Sequence, residues 1–473
     1  MPLHRIRIKI LNQANESCVC RIIIRINFPH SSLFIFYLTG KKMKDSRRSF
    51  LQRSGLMLGA FSAHSIFNEL HASEIRYVQQ KKVGIPAWEL AADEDYWSVI
   101  QQAYTVNPSI INLNNGGVSP APRVVQEALD RYNKMANEGP SYFMWRVLDM
   151  GREPLREKLA ELAGALPDEI AINRNSTEAL NTVIYGVKLE KGDEVIGTKQ
   201  DYPNMINAWK QRVAREGIVY KQISFDFPIE DEDAIVKAYE NAITSKTKLL
   251  HITHVINWVG QVMPVKKLTA MAARRGIETL VDGAHSFGLL DFKIPELGCD
   301  YFGTSLHKFL SAPVGSGMLW IRKNKIAAVW PLVCNDKPGS DDIRKFESLG
   351  TRSFPIEQAI GEAVNFHNAI GPARKQERIH YLKNYWASAV KDVPGVKLHT
   401  SLNPLYSCAI CGVSVDGLTP QELDNALFSK YKIHVVGINW ENIHCVRITP
   451  HVYTKIKDLD KLILAIKEIA TKK

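Results

Sequence analysis

From Glu169 onward the chain alternates short, continuously apolar runs with longer stretches whose apolar residues recur every three or four positions. The first pattern is typical of strands buried on both faces and the second of amphipathic helices. The predicted strands are Glu169–Asn173, Glu194–Thr198, Val219–Ser224, Lys248–His254, Thr279–Asp282, Tyr301–Thr304 and Gly317–Ile321. The predicted helices between them include Thr177–Val187, Met205–Glu216, Glu230–Asn241 and Val265–Arg275. This alternation predicts an α/β domain with a seven-stranded, mainly parallel sheet covered by helices.

After Gly350 the pattern changes and predicts a smaller α+β domain. Its predicted elements are the helices Pro355–Ile370, Pro372–Val393 and Thr454–Ala470 and the strands Ser407–Val415, Ile433–Ile438 and Ile443–Ile448. We therefore expect a large domain over residues 120–350 and a small C-terminal domain over residues 351–473. Residues 73–119 are expected to form an N-terminal segment that packs on the small domain.

The composition is that of a soluble globular protein, with 45% apolar and 23% charged residues among 473. The formal net charge is +11, but residues 1–72 hold 11 Lys and Arg against 3 Asp and Glu, a net of +8. The remaining 401 residues carry only +3. Because the positive and negative charges of these residues nearly cancel, they give no reason to expect a nucleic-acid partner.

The basic leader resembles a twin-arginine export signal. The pair Arg47-Arg48 is followed by Phe50-Leu51, a weakly apolar stretch and small residues near Ala72. We therefore expect a signal peptide over residues 43–72, export through the twin-arginine machinery and a periplasmic protein, or a cytoplasmic one if the signal is misread. Residues 1–42 then read as an over-extended start, or alternatively as a disordered basic extension. No uncharged apolar run reaches the roughly 20 residues that span a bilayer, so no stable membrane anchor is expected.

Seven cysteines in a chain of 473 residues do not indicate a disulfide framework. Cys408 and Cys411 have the spacing of a redox or metal motif, but both fall in the predicted strand Ser407–Val415. No second Cys or His pair at zinc spacing accompanies them. We interpret them as two buried small side chains and expect no metal site.

An acid and a lysine follow two of the predicted strands. Asp282 ends one buried strand, and Lys308 follows the next strand in the run Ser305-Leu-His307-Lys308. A buried ammonium is costly unless it is paired or used chemically. A lysine that forms a Schiff base, with an acid that pairs with a pyridinium nitrogen, is the combination that pyridoxal 5'-phosphate requires. Either residue by itself would more often be a helix-cap Asp or a surface Lys, so the prediction rests on the pair.

A phosphate site is predicted in the run Arg174–Asn181, which follows a strand and opens a helix. Free N–H groups, the helix dipole and the hydroxyls of Ser176 and Thr177 would converge there on a dianion. The same residues also suit an ordinary helix cap. Their position one strand before the aromatic segment Asp201–Trp209 favours the phosphate site.

At these residues the chain resembles the class V aminotransferase family of fold-type I enzymes that use pyridoxal phosphate. The resemblance runs from about residue 112 to 470. Its motifs occur in family order: Asn114–Pro122, Asn175–Glu178, Tyr202, His254–Gly260, Asp282–His285, Ser305–Lys308, Gly350-Thr351 and Val446–Ile448.

The resemblance implies a role for each matching residue. Lys308 would be the Schiff-base lysine and proton shuttle, Asp282 the partner of the ring nitrogen, and Tyr202 the aromatic group stacked on the ring. Asn257 and His285 would bond the ring hydroxyl. The phosphate would be held by Ser176, Thr177, Ser305 and His307, with Thr351 reaching in from the other subunit of a homodimer. Arg447 would bind the substrate carboxylate, beside Asn115 and Gly116.

The reaction is less well defined than the cofactor. Desulfurases of the family need a nucleophilic Cys on a loop before the carboxylate-binding Arg, and the stretch Val435–Asn442 has none. The segments Asn114–Pro122, Ser141–Arg146 and Gly350–Arg352 look most like the isopenicillin N epimerase branch. An epimerase acting at the α-carbon of an amino acid, or of a substrate containing one, would need a second base near Tyr202 or Tyr142. An aminotransferase, a β-lyase and a catalytically silent binding module of the same fold are the alternatives.

Overall fold

The computed structural model describes residues 84–471 and three short upstream strands, β1 (Arg7–Ile10), β2 (Ile22–Ile26) and β3 (Phe34–Ile35). The upstream strands pair antiparallel in the order β1-β2-β3. The predicted export signal, residues 43–72, lies outside the described residues. None of the helices in the described part is long and apolar enough to cross a bilayer.

The N-terminal part of the body is mainly helical. It contains α1 (Ala87–Leu90), α2 (Glu94–Gln102), strand β4 (Ile111–Asn112), α3 (Arg123–Glu138), α4 (Pro140–Phe143) and α5 (Arg152–Ala163). A π-helical turn, Met144–Leu148, lies between α4 and α5 and was not predicted. Such turns are rare and often mark functional positions.

The large domain is built on one seven-stranded sheet. Its strands are β5 (Ile170–Asn173), β6 (Glu194–Thr198), β7 (Val219–Ile223), β8 (Thr247–Thr253), β9 (Glu278–Asp282), β10 (Tyr301–Ser305) and β11 (Gly317–Ile321). Their order is β5-β11-β10-β9-β8-β6-β7, and only β11 runs antiparallel to its neighbours. The predicted α/β architecture with a mainly parallel sheet is confirmed.

Four helices of this domain connect the strands: α6 (Ser176–Gly186), α7 (Pro203–Glu216), α8 (Glu232–Ala242) and α9 (Val265–Ala273). Both faces of the sheet are covered, and apolar side chains from the strands and helices form two clusters on its two sides. Helices on both faces favour strands with apolar residues on both faces, which is the pattern of the inner strands, whereas the edge strand β7 is only partly buried.

The residues predicted as the small domain belong to the same compact unit as the large sheet, His71–Lys473, and we keep the two names for the predicted ranges. The small domain begins with two long helices, α10 (Phe354–Ile370) and α11 (Pro372–Val390). It continues with β12 (Val396–Leu398), β13 (Cys411–Val415), α12 (Pro420–Tyr431), β14 (Ile433–His434), β15 (Val436–Trp440), β16 (Ile443–Ile448) and α13 (Ile456–Thr471). Its four-stranded sheet is antiparallel in the order β12-β13-β16-β15. Strand β14 instead pairs in parallel with β4 of the N-terminal segment.

Two strand predictions in this domain were wrong in detail. The predicted strand Ser407–Val415 begins only at Cys411, and Cys408 lies before it, where its thiol contacts the Gly260 carbonyl at 3.5 Å. Both thiols are buried and free, in agreement with their interpretation as small buried side chains. The predicted strand Ile433–Ile438 is divided between β14 and β15, because the chain leaves β4 and joins β16 within a few residues. Apolar periodicity does not reveal such a change of partner.

A buried carboxylate fastens the segment before α10 to the large sheet. Glu347 is 5% exposed and accepts bonds from the Ile172 backbone N–H at 2.6 Å and from the Arg156 guanidinium at 2.7 and 2.9 Å. Arg152 lies 3.2 Å from the same carboxylate. The fork of Arg156 therefore joins α5 to the chain that leads into the small domain.

We expect Glu347→Ala to lower the free energy of unfolding by about 3 kcal/mol, because it leaves buried cationic groups without their carboxylate. Asp233→Ala is the matched control, since its ion pair with Lys267 is exposed and should contribute below about 1 kcal/mol. Urea unfolding of both variants measures the difference. Equal losses in the two variants would show that the Glu347 network does not stabilise the fold.

Candidate active site

The predicted site residues meet at the edge of the large sheet where its parallel strands end. Asp282 is the last residue of β9 and Ser305 the last of β10. Lys308 follows three positions later, and Ser176 begins the helix α6 beside them. Carboxyl ends of neighbouring parallel strands lie together, and ligands of open α/β sheets bind there.

Asp282 is a buried carboxylate, 5% exposed, whose Oδ1 accepts the Ala284 backbone N–H at 2.9 Å. Burial raises its pKa, and the neighbouring His251, the Ala284 N–H and Lys308 oppose that rise. Burial outweighs these neighbours, so the pKa of Asp282 stays above its ordinary range. A positively charged ring nitrogen beside it would favour the ionised carboxylate and could pair with it.

The amine of Lys308 lies 3.1 Å from His285 Nε2, and the same ring nitrogen lies 2.9 Å from the Gly116 carbonyl. A carbonyl can only accept, so we assign the hydrogen of the imidazole to Nε2. Burial and the charge of Arg447 lower the pKa of Lys308 to about 7, although Asp282 acts in the opposite direction. Lys308 is thus prepared to act as a neutral nucleophile or base.

The predicted phosphate residues Ser176 and Ser305 are brought together. Ser305 Oγ accepts the Ser176 backbone N–H at 3.0 Å and lies 2.9 Å from the Ser176 hydroxyl. Asn175 caps α6 by accepting the Glu178 N–H, so the helix begins at this cluster. Thr177 occupies the first turn, and His307 Nδ1 lies 3.2 Å from the Ser316 carbonyl. A helix start has a positive dipole end, and with the hydroxyls that surround it here it is suited to a phosphate.

Arg447 extends from β16 of the small domain into this site. Its Nη1 donates to the Asn257 carbonyl at 3.0 Å and its Nη2 to Asn114 Oδ1 at 2.9 Å. Its Nε is buried without a partner, and no carboxylate of residues 84–471 lies within ion-pair distance of the guanidinium. Burial lowers the pKa of Arg447 to about 10. A buried guanidinium without an anion indicates that the ligand supplies one.

Of the two neighbouring asparagines, Asn114 contacts the guanidinium. The amide of Asn115 is used inside the protein, where it donates to the Thr449 carbonyl at 2.9 Å and accepts the Tyr453 hydroxyl at 2.6 Å. The sequence contains both asparagines in one motif, and it gave no signal that Asn114 rather than Asn115 would contact Arg447. A Cβ on Gly116 would lie 3.5 Å from Arg447 Cζ and 3.2 Å from the Thr449 hydroxyl, so glycine allows this loop to approach the guanidinium closely.

The structure brings Tyr202 and Asn257 near Arg447, since Tyr202 influences the pKa of Arg447 and the Asn257 carbonyl accepts its hydrogen bond. Tyr202 precedes the first residue of α7, and its side chain is 41% exposed. The Oδ1 of Asn257 is buried without a partner. A buried acceptor without a donor fits a ligand that carries a hydroxyl, as predicted for the cofactor ring.

Thr351 is the predicted residue that the single chain does not bring to the site. It is exposed in the turn before α10, after Gly350 at φ +67°. Within the described residues, no hydrogen bond or ion pair joins it to the other predicted site residues. Its expected role in a second subunit stays a prediction.

Sequence reasoning missed the groups that hold the turn after Lys308. Ser311 adopts φ +60° and donates its N–H to the Lys308 carbonyl at 3.0 Å. The buried amine of Lys375, in α11, donates to the Phe309 carbonyl. A lysine within a helical pattern normally reads as part of a solvated face, so only the fold could show this contact.

The groups that meet here are those that pyridoxal phosphate requires. They are the neutral amine of Lys308, the acid Asp282 for the ring nitrogen, the acceptor Oδ1 of Asn257 and the hydroxyls at the start of α6 for the phosphate. The family model for Aminotransferase class-V matches residues 111–462. The isopenicillin N epimerase of Amycolatopsis lactamdurans is 28% identical over 393 residues, covering 79% of this chain and 98% of that protein. A probable cysteine desulfurase of Halalkalibacterium halodurans is 29% identical, covering 70% of this chain and 83% of that protein. The apo structure of a cysteine desulfurase from Thermococcus onnurineus NA1 is similar with a TM-score of 0.70 and 21% identity, covering 79% of this chain and 98% of that one.

We expect the apo-protein to capture pyridoxal phosphate at a rate that rises with pH and levels off above about pH 7, because only the neutral Lys308 amine reacts. Arg447→Ala removes a positive neighbour, so the Lys308 pKa should rise and the plateau should move to higher pH. Stopped-flow absorbance measures the rate, with N-acetyl-lysine as the control for the ionisations of the free reagent. A rate that keeps rising towards pH 10 would contradict a lowered Lys308 pKa.

Proposed function

The chain belongs to the class-V aminotransferase family, and we propose that it inverts the configuration at the α-carbon of an amino acid or of a substrate that contains one. The protein is an enzyme dependent on pyridoxal 5'-phosphate. The observation that carries the proposal is the convergence of the Lys308 amine, with its pKa near 7, and the Arg447 guanidinium without a carboxylate partner among the described residues. The similarity to isopenicillin N epimerases over nearly their whole length supports epimerisation.

The cofactor, when bound, withdraws electrons from the substrate α-carbon so that a bond there can break. Asp282 would pair with the ring nitrogen, the open Oδ1 of Asn257 would meet the ring hydroxyl, and Tyr202 would lie against the ring. The phosphate would bind at the start of α6, between Ser176 and Ser305.

The chain's own residues supply orientation and proton transfer. Arg447 would bind the α-carboxylate through its free Nε and fix which face of the α-carbon meets Lys308. The neutral Lys308 amine can take the α-proton or return it on that face. The opposite face needs a second proton donor, and Tyr202 is the better candidate within one chain. Tyr142 is 62% exposed and contacts Phe143, and no described contact joins it to the site.

Sulfur transfer is the less favoured chemistry. The segment before Arg447 is a tight hairpin, β15–β16, whose turn contains Glu441 and Asn442 and no cysteine. Cys445 is buried within β16, and burial raises its pKa to about 12. A thiol of that kind is not a ready nucleophile.

The proposal predicts that the mature chain, from about Ser73, has a visible cofactor band that Lys308→Ala abolishes, and that one amino acid in a panel of L- and D-isomers shifts the band. When the protein is incubated with that amino acid in deuterium oxide, both enantiomers should form with deuterium at the α-carbon. The reaction should proceed without an added keto acid. Chiral chromatography with mass spectrometry measures the product.

Each competing reaction gives a different result in the same experiment. Turnover only with an added keto acid would indicate transamination, and release of ammonia with a keto acid would indicate β-elimination. Either result would contradict epimerisation as the principal reaction. Arg447→Lys should weaken the response to the amino acid without removing the cofactor band, because a lysine cannot form a two-pronged contact with a carboxylate.

We also propose a homodimer in which Thr351 reaches the partner's cofactor phosphate. Exposed apolar side chains around the π-helical turn support it, namely Tyr142, Trp145, Val147 and Met150. The Trp145 ring lies 4.8 Å from that of Phe354, close to the turn that holds Thr351. Light scattering of the mature chain tests the assembly, and a monomer would contradict it.

Export by the twin-arginine route is a further proposal, which rests on residues 43–72 of the sequence. That route carries folded proteins, so the cofactor would be loaded in the cytoplasm and the enzyme would act in the periplasm. Replacing Arg47-Arg48 by Lys-Lys should retain the protein in the cytoplasm, as cell fractionation would show. Equal distribution of both forms would contradict the proposal.

A further inference from the structure

Two indole rings join the large and small domains beside the candidate site. Trp258 follows Asn257 in the large domain, and Trp440 ends β15 in the small domain. Their ring centroids are 5.7 Å apart and the planes meet at 26°, which is a stacked arrangement. Offset stacks of this kind stabilise an interface beyond the area that they bury.

Both indole N–H groups also bind the chain that leads to Tyr202. Trp440 Nε1 donates to the Lys199 carbonyl at 2.9 Å, and Trp258 Nε1 donates to the Gln200 carbonyl at 2.8 Å. These two carbonyls are consecutive and lie just after β6. One ring from each domain therefore holds the same short loop.

A pair of side-chain amides reinforces the same junction. The buried amide of Gln200 donates to Asn442 Oδ1 at 2.8 Å and to the Ser224 hydroxyl at 2.9 Å. Asn442, in the β15–β16 turn, donates to the Phe225 carbonyl at 2.9 Å and to Asp226 Oδ1 at 2.6 Å. We call Trp258, Trp440, Gln200 and Asn442 the interdomain clasp.

The loop is held from its other side by Asp201. This fully buried carboxylate accepts the Thr198 N–H at 2.7 Å and the hydroxyls of Thr198 and Thr253 at 2.8 and 2.7 Å. The backbone on both sides of the Gln200–Asp201 peptide is therefore fixed. Tyr202 comes next, immediately before the first residue of helix α7.

The clasp also fixes the hairpin that carries Arg447. Trp440 pairs with Ile443 at the tip of the hairpin, and Arg447 pairs with Val436 at its base. Arg447 reaches across to the Asn257 carbonyl, and Asn257 is the residue next to Trp258. A movement of the hairpin would break the stack and the amide bonds and would shift Arg447 with them.

We propose that the interdomain clasp sets the position of Arg447 relative to the Tyr202 loop, so that its members are positioning residues for the substrate carboxylate. This inference rests on the proposed function, since it assumes that Arg447 binds the carboxylate of an amino acid. The clasp acts through Arg447 and Tyr202. It touches neither Lys308 nor the start of α6 in the described contacts.

The test compares Trp440→Ala, Trp440→Phe and Asn442→Ala with His444→Ala in the holoenzyme. His444 is the matched control, because it is exposed on the same hairpin and its described hydrogen bond is to Asn439 of that hairpin. Titration with L-alanine, followed by the cofactor absorbance, reports carboxylate binding. We expect Trp440→Ala to weaken the apparent affinity on the order of tenfold, since it removes both a ring stack and a hydrogen bond. Trp440→Phe, which keeps a ring and loses the N–H, should give a smaller loss.

For the substrate identified with the panel of amino acids, we expect the clasp variants to change KM more than kcat. Displacement of Arg447 weakens binding of the carboxylate, so KM should rise on the order of tenfold while kcat changes by less than about threefold. The Trp440→Ala and Asn442→Ala variants should retain the wild-type cofactor band, because neither substitution changes a contact of Lys308 or of the phosphate site. Asn442→Ala or Trp440→Ala behaving like His444→Ala would overturn the proposal.

Hydrogen exchange separates this inference from the proposed function. Backbone amides of residues 199–202 and of the hairpin should exchange faster in Trp440→Ala than in His444→Ala, with no substrate present. If L-alanine and every other amino acid leave the wild-type spectrum unchanged, the proposed function fails, and the exchange data still decide whether the clasp holds the loop. Unchanged exchange in Trp440→Ala would refute the clasp itself.

Discussion

Burial of charged groups at the carboxyl edge of the large sheet is the constraint on which the site depends. Asp282 and Arg447 both lie close enough to Lys308 to alter its pKa, and burial opposes the charge of all three groups. Water cannot compensate such charges, so the surrounding chain or a ligand must. For Asp282 the compensation includes the Ala284 N–H, whereas Arg447 has two neutral oxygens and no anion among the described residues. The charge of Arg447 is therefore neutralised only when an anionic ligand is present.

The charged groups of the site come from two different sheets. The large sheet provides Asp282 and Lys308 at fixed positions, because strand ends are rigid. Arg447 comes from a hairpin of another domain, and its position relative to the sheet depends on how the domains meet. The stacked indoles and the amides of Gln200 and Asn442 provide that alignment with directional contacts. A purely apolar interface would leave the hairpin freer to slide.

Prediction from sequence succeeded where the signal was local. The seven strands of the large domain were placed within about two residues, because most of them are short runs rich in apolar residues and bounded by turn residues. It failed where a strand changes partner, as between β14 and β15, and where an apolar run begins before its strand, as at Cys408. The π-helical turn at Met144–Leu148 also escaped, since its residues differ little in pattern from an α-helix.

The sequence by itself determined the fold class and the cofactor, because alternating apolar runs and the motifs around Asp282 and Lys308 are local features of the chain. Only the tertiary structure decided which of two adjacent asparagines meets Arg447, that Lys375 supports the turn after Lys308, and that Trp258 and Trp440 join the domains. These contacts connect residues that are far apart along the chain. Their partners are selected by the packing of whole elements, and no short stretch of sequence carries that information.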